Sequence, residues 1–402
     1  MKKHAHNIIA LTGTIIDEFG PRAAGSPESR GSADALAATV APFANDVRTE
    51  DFTFSPGAFL GWIRILVAAY VVALGCMWLG WYLISSLILL GAVALLVFQF
   101  FLYKEVLDPF YPKFRGRNVL ASLEPEGEVR GELMISGHHD SARIFNFLVH
   151  QPKLYLLRIN GGIGSLVTLA LTNIILLVLA LAGINTSWAW IPALVFTVLL
   201  ALVLQLWFFA SKNHTPGAGD NLASSVTALE YLKICAAAKE RGKGFKHLRI
   251  TAVSWDAEEA GLRGARAWRK NRETDPLQHP VWNLNLECLY DVNALFMLTS
   301  DINGSVQLSH ALAERCARIL TEITGRDVTV KPIGFLAGGT DAGETAKAGV
   351  EATTLMGMPF SIDALAAVYH TPKDTIEAVS AEAVETALML ADTLAKELDG
   401  EI

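Results

Sequence analysis

Residues 255–262, Trp255-Asp256-Ala257-Glu258-Glu259-Ala260-Gly261-Leu262, set two adjacent carboxylates between two different hydrophobic patterns. Before them, residues 248–254 form an apolar, β-branched run that reads as a buried strand. After them, residues 262–272 are rich in alanine and arginine without proline, which reads as helix. The pair therefore stands where a strand gives way to a helix, the crevice position in which open α/β sheets place their ligands. Neighbouring carboxylates repel, so the pair is costly unless a cation or a proton lies close by. A metal ion answers that need, with one glutamate as ligand and the other handling a proton. An ordinary acidic helix start has the same residues, because the helix dipole favours glutamate in the first turn. The rest of the chain decides between the two.

The chain has 402 residues, of which 18 % are charged, and its mean hydropathy of +0.35 is too high for an ordinary water-soluble enzyme. The excess is local, carried by two long runs. The net charge of −7 and the lack of a long basic block argue against nucleic acid as a partner. Cys76, Cys235, Cys288 and Cys316 are scattered without a C-x-x-C pair, so they suggest neither a zinc ribbon nor a disulfide framework. Residues 1–19 contain Asp17 and Glu18 and no signal-peptide apolar core.

Residues 65–103 contain no charged side chain. A membrane-crossing helix needs about 20 apolar residues, so this run has room for two. Trp78, Trp81 and Tyr82 mark the expected reversal, since aromatic rings favour the interface. A second charge-free run, 159–211, breaks near Gly183-Ile184-Asn185-Thr186 and gives two more spans. Arg64, Lys104, Lys113, Arg115, Lys153, Arg158 and Lys212 all flank the outer ends, and the reversals carry no Lys or Arg. The positive-inside rule then places both turns outside and the remaining chain in the cytoplasm. The expected plan is an integral, multi-pass membrane protein. Hairpins at 59–103 and 159–211 interrupt one domain made of residues 1–58, 104–158 and 212–402. The lipid bilayer is an expected partner, and the hairpins are candidate contacts for a homo-oligomer.

Outside the hairpins, helical patterns at 8–19, 27–43, 222–241, 306–324 and 381–398 alternate with strand patterns. The strands fall at 47–54, 117–123, 132–136, 248–254, 283–287, 294–298, 328–333 and 353–356, and Gly338-Gly339-Thr340-Asp341 reads as a loop. This alternation argues an α/β sandwich. Polar residues gather at the strand ends. Gly137-His138-His139-Asp140-Ser141 follows one strand, and a carboxylate two residues after a ligating histidine can fix its second nitrogen. Gly217-Ala218-Gly219-Asp220-Asn221 opens a helix, where Asp220 also suits an N-cap. Glu287 ends an apolar strand, and Tyr369-His370-Thr371-Pro372-Lys373-Asp374 forms a loop before the last helix. Together they supply His, Asp, Glu, Glu and His, a nitrogen and oxygen set that zinc accepts. Five ligands with one shared carboxylate suffice for two ions about 3.5–4 Å apart.

The ordered set G-H-x-D-S, G-x-D-N, D-A-E-E-x-G-L-x-G, N-L-E and Y-H-T-x-x-D-T resembles the co-catalytic zinc peptidases of metallopeptidase family twenty-eight, which include bacterial leucyl aminopeptidases and glutamate carboxypeptidases. Gly20-Pro21-Arg22-Ala23-Ala24-Gly25-Ser26-Pro27 also resembles that family's N-terminal segment. The resemblance implies a three-layer zinc-peptidase-like α/β sandwich with a mixed central sheet, here carrying two inserted transmembrane helical hairpins. It implies that His138, Asp220 and Glu287 hold one zinc and that Asp220, Glu259 and His370 hold the other. Glu258 is then the general base, Asp140 the partner of His138, and His139 a non-ligand. Glu287 stands where aspartate is commoner, and the hairpins are foreign to the usual soluble plan. Asp341 is a candidate substrate-side residue.

The expected activity is hydrolysis of a peptide or similar amide bond, with aminopeptidase action favoured over carboxypeptidase or dipeptidase action. The alternatives are a single-zinc amide transferase or cyclase, and a non-catalytic membrane scaffold or receptor that keeps the fold. Arg143, Arg263 and Arg266 are candidates for binding a substrate terminus, although arginines are more often on the surface.

Overall fold

A computed structural model of the chain describes residues 1–334, 336–358 and 361–402. It divides into two compact units, Met1–Pro56 with Pro112–Ile144 and Asn213–Ile402, and Gly57–Tyr111 with Phe145–Lys212.

The first unit contains α1 (Lys2–Phe19), α2 (Pro27–Val40), β1 (Asp46–Phe54), β2 (Phe114–Leu123), β3 (Gly131–His138), α3 (Ala223–Glu240), β4 (Leu248–Trp255) and α4 (Arg263–Arg272). It continues with β5 (Val281–Glu287), β6 (Leu295–Asp301), α5 (His310–Thr324), β7 (Thr329–Pro332), α6 (Asp341–Lys347), β8 (Glu351–Gly357), α7 (Ile362–Val368) and α8 (Ala381–Glu401). The strands join in the order β1-β2-β4-β3-β5-β8-β6-β7. At the centre, β4, β3, β5 and β8 run parallel, whereas the β1–β2, β2–β4 and β8–β6 pairs are antiparallel. The sheet is mixed.

Period-two alternation divides its side chains between two apolar layers. On one face Leu133, Ile135, Ile250, Ala252, Leu284 and Leu286 pack with Ile8, Leu36, Leu229, Leu312 and Leu388 from helices. On the other, Met134, Val253, Trp255 and Phe296 pack with Ala265 and Trp268 of α4 and Ala342 of α6. Helices thus cover both faces, and the parallel strands inside are buried on both sides, as parallel sheets require.

Register then fixes the chemistry. His138 pairs with Trp255 across β3 and β4, and Met356 pairs with Glu287 across β8 and β5. The carboxyl ends of the central strands are level, so the residues that follow them converge at one edge.

Two segments differ from their sequence patterns. The 306–324 helix starts later, at His310, because the Ser309 side chain caps it by accepting from the Leu312 N–H at 3.3 Å. Val306–Gln307 pairs instead with β6. The 338–341 loop leads straight into α6, whose first residue is Asp341; the two glycines before it mask a short helix.

The second unit has four main helices, Pro56–Trp78, Tyr82–Leu96, Tyr155–Leu181 and Trp190–Leu204. With their short 3-10 and π extensions, the four are long and apolar enough to cross a membrane. They are tied by polar side chains that spend themselves on backbone carbonyls: Tyr70 Oη donates to Phe196 O at 2.9 Å, and Ser85 Oγ to Ala73 O at 2.8 Å. The helical unit extends past the sequence-expected boundaries, to Tyr111 and from Phe145. The physical cause is packing, since Leu107, Tyr111, Phe145 and Phe147 join its apolar cluster.

Candidate metal centre

His138 is the last residue of β3 and is fully buried. Its Nδ1 lies 3.2 Å from the backbone oxygen of Asp140, an acceptor that in the neutral ring leaves the lone pair on Nε2. That Nε2 has no hydrogen-bond partner of ordinary geometry among the described residues. It lies instead 3.4 Å from Asp220 Oδ1, 3.4 Å from Glu287 Oε1 and 3.8 Å from Glu258 Oε2. Burial would lower the pKa of His138, but Glu258, Asp140, Asp220 and Glu287 outweigh it and push the ring well above its usual range.

His139 faces elsewhere. Its Nδ1 meets Ser254 Oγ at 2.8 Å, and burial depresses its pKa to about 3, so it is a neutral core histidine.

The Glu258-Glu259 turn is held from below. Asp140 accepts the Glu258 N–H on Oδ1 at 3.1 Å and the Glu259 N–H on Oδ2 at 3.2 Å. Asp140 therefore braces both the histidine and the carboxylate pair. Asp256 fixes the start of the turn, accepting Ser29 Oγ at 2.8 Å and the Arg117 N–H at 2.9 Å. Gly264 closes it, because a Cβ there would lie 2.3 Å from both Asn118 Oδ1 and the Asp256 carbonyl. Burial raises both Glu258 and Glu259 well above the ordinary carboxylate range, and their acidic neighbours add to it.

Asp220 precedes α3 but does not cap it. Its own N–H donates to Asp374 Oδ2 at 3.3 Å, and the Gly219 N–H donates to Asp374 Oδ1 at 2.8 Å. The Asp220 carboxylate is thereby presented with its two oxygens toward different histidines: Oδ1 to His138, and Oδ2 to His370 Nε2 at 3.5 Å. His370 Nε2 is also 3.6 Å from Glu259 Oε1. Burial lowers the pKa of His370 to about 4.

Arg22, from the Gly20–Pro27 motif, is fully buried at the same edge. Its guanidinium donates to the carbonyls of His139 (2.7 Å), Gly20 (2.9 Å), Pro216 (3.0 Å) and Gly217 (2.8 Å). The loops that carry His138 and Asp220 are both fastened to it. Neither Arg22 nor Asp374 has an expected role from sequence patterns; their signal is only that each stands inside a quoted motif.

The structure thus gathers His138, Asp140, Asp220, Glu258, Glu259, Glu287 and His370 at the carboxyl edge of the sheet. Asp341 is buried beside them, and neither of its carboxylate oxygens has a hydrogen-bond partner among the described residues. Donor atoms of His138, Asp220 and Glu259 lie within 4.8 Å of one another, as do those of Asp220, Glu287 and Cys288. So many buried acids around two imidazoles are costly without cations, since each buried charge needs a partner. The orphaned His138 Nε2 and Asp220 Oδ2, on nearly inaccessible side chains, are the observation that fits a metal.

Of the arginine candidates, Arg263 and Arg266 are buried rather than on the surface. Arg266 pairs with Glu344 at 2.8 Å, and Arg263 Nε donates to Ala260 O at 3.0 Å, so both are engaged within the fold.

Residues 208–394 match Peptidase family M28, a stretch that holds Asp220, Glu258, Glu259, Glu287 and His370. The fold resembles a Zn-dependent exopeptidase from Parabacteroides distasonis, with a TM-score of 0.57 and 14 % identity, covering 98 % of this chain and 97 % of that one. It also resembles an aminopeptidase from Aneurinibacillus sp. (TM-score 0.54, 12 % identity, 97 % and 92 % covered). A glutaminyl cyclase from Tannerella forsythia is equally similar (TM-score 0.57, 13 % identity, 98 % of each chain covered). No curated protein matches the sequence. The family match thus covers residues 208–394, and the fold as a whole is the mixed α/β fold of these structures.

Proposed function

We propose that the protein is a membrane-anchored, zinc-dependent metallopeptidase that acts as an aminopeptidase through a two-metal centre. One observation carries the reading. Asp220 turns Oδ1 to His138 and Oδ2 to His370, the arrangement of a carboxylate shared by two cations. His138, Asp220 and Glu287 would hold one zinc, and Asp220, Glu259 and His370 the other. When bound, such a pair activates a water and polarises the scissile carbonyl.

The protein's own groups do the rest. Glu258, fixed through its N–H by Asp140, takes the proton of the attacking water and returns it to the leaving amine. Asp140 keeps the His138 ring oriented and the two glutamates in place. Asp374 aims Asp220 by holding its backbone.

The test is metal content beside hydrolysis of aminoacyl amides and dipeptides, on detergent-purified protein with and without chelator. The expected result is two zinc ions per chain and chelator-sensitive cleavage. Glu258→Gln should keep the metal and lose turnover by about 10²–10⁴-fold; unchanged turnover would sink the base assignment.

The similarity to a glutaminyl cyclase gives a second reading, a single-zinc cyclase. Peptides with N-terminal glutamine belong in the same panel. Ammonia release without peptide cleavage, with one zinc bound, would select it.

The four apolar helices support membrane anchoring. We place the catalytic unit in the cytoplasm on the flanking charges, and a reporter fused in the 183–187 turn should therefore appear outside.

A further inference from the structure

Cys288 directly follows Glu287, and no motif quoted above accounts for it. Consecutive strand residues point to opposite faces. The backbone departs from that rule at Cys288, whose φ is +54°. A left-handed conformation is uncommon for a residue with a side chain and marks a special site. The Cys288 N–H donates to Asn221 Oδ1 at 3.4 Å. The thiol is thereby buried with its Sγ 3.9 Å from Glu287 Oε1, and donor atoms of Asp220, Glu287 and Cys288 fall within 4.8 Å of one another.

A buried cysteine is by itself a small hydrophobe, and Cys76, Cys235 and Cys316 are also buried and free. Cys288 differs in the company it keeps. His138 Nε2, on a wholly inaccessible side chain and with no hydrogen-bond partner among the described residues, lies 3.4 Å from Asp220 Oδ1 and 3.4 Å from Glu287 Oε1, the two residues whose donor atoms group with Cys288.

We infer that Cys288 is a sulfur donor to the metal held by Asp220 and Glu287, adding a soft ligand to a nitrogen and oxygen set. This rests on the two-metal reading above. With Zn–S near 2.3 Å and Zn–O near 2.0 Å, a tetrahedral ion separates sulfur from oxygen by roughly 3.5 Å. The observed 3.9 Å needs only a small side-chain adjustment. The sulfur coordinates as thiolate, its proton passing to solvent as the cation binds. A thiolate favours cadmium and zinc over manganese, which prefers oxygen.

The test uses the full chain in detergent, stripped of metal and loaded with Co²⁺ as an optical probe, beside Cys288→Ser and Cys288→Ala. The wild type should show visible ligand-field bands together with a thiolate-to-cobalt charge-transfer band in the near ultraviolet. The variants should keep the ligand-field bands and lose the charge-transfer band. Their Cd²⁺ affinity should fall by about tenfold or more, while Mn²⁺ affinity changes little. Ligand-field bands without charge transfer in the wild type would overturn the sulfur assignment and leave the two-metal reading standing. Failure to bind cobalt at all would overturn both. Because the wild-type spectrum decides, the test survives a variant that does not fold.

Discussion

The two units solve opposite problems. The α/β unit buries charge: Arg22, His138, Asp140, Asp220, Asp256, Glu287, Asp301, Asp341, Glu344 and Asp374 are almost wholly inaccessible. The helical unit buries no charged residue among those described; its inaccessible polar groups are Ser85, Ser86, Gln99, Ser165 and Asn173. Its surface is inverted too. Apart from Phe43 and Phe114, every large exposed hydrophobic among the described residues lies in the helical unit. A fold in water gains by hiding apolar area, so a surface like this one suits the bilayer of the membrane-anchored reading proposed above. The difference supports one chain matched to two media, with a charged interior that cations would balance.

The sharpest way to break this contrast is at its centre. Asp220→Asn leaves the fold's apolar layers untouched but removes the charge shared by both histidines. It is expected to lower zinc affinity by more than about 100-fold, beyond what an outer-shell change costs, as read by elemental analysis after dialysis. Retention of two ions per chain would show that the buried acids are structural.

Val198, 69 % exposed in the Trp190–Leu204 helix, tests the other side. In a bilayer Val198→Arg should cost about 2.5–3.5 kcal/mol of insertion free energy. On a water-facing surface the same change stays within about 0.5 kcal/mol. Insertion of the two hairpins into microsomes, scored with a glycosylation reporter, separates these outcomes.

The most graded effect concerns Glu344, which meets Arg266 at 2.8 Å, Arg269 at 2.9 Å and Lys347 at 2.9 Å. Burial would raise its pKa, but Arg266 and Lys347 outweigh that and bring it from 4.5 down to about 2. A depressed folded-state value means stabilisation that is complete above the unfolded value near 4.5. It is lost as pH falls toward 2. Glu344→Gln should thus cost about 3 kcal/mol at neutral pH, with wild-type and variant melting curves converging by about pH 2. A gap that persisted there would mean packing, not charge, is at work.

The gathering of the candidate residues was largely legible because chemistry-bearing residues recur at strand ends, and the register of parallel strands levels those ends. Glu258-Glu259 after β4 and Glu287 at the end of β5 needed only correct strand assignment. The order of hydrophobic patterns likewise revealed the sandwich and the four apolar helices. What escaped was non-periodic. Ser309 moved a helix start, because one cap outweighs an apparent apolar repeat. Asp341 looked like loop because Gly338-Gly339 hides the helix behind it. Arg22 and Asp374 act through backbone groups of residues far away in sequence, and a contact of that kind leaves no local pattern.

Arg22 also sets a timetable. Three of its four carbonyl partners belong to residues 139, 216 and 217, up to 195 positions later in the chain. Both apolar runs are translated between Arg22 and Gly217, and synthesis proceeds at about 5–20 residues per second. The arginine therefore waits roughly 10–40 s for its last acceptor. A nascent chain in that interval lacks residues 216 and 217, whose carbonyls this arginine fastens, so the edge that gathers the candidate site closes only after both apolar runs have been synthesised.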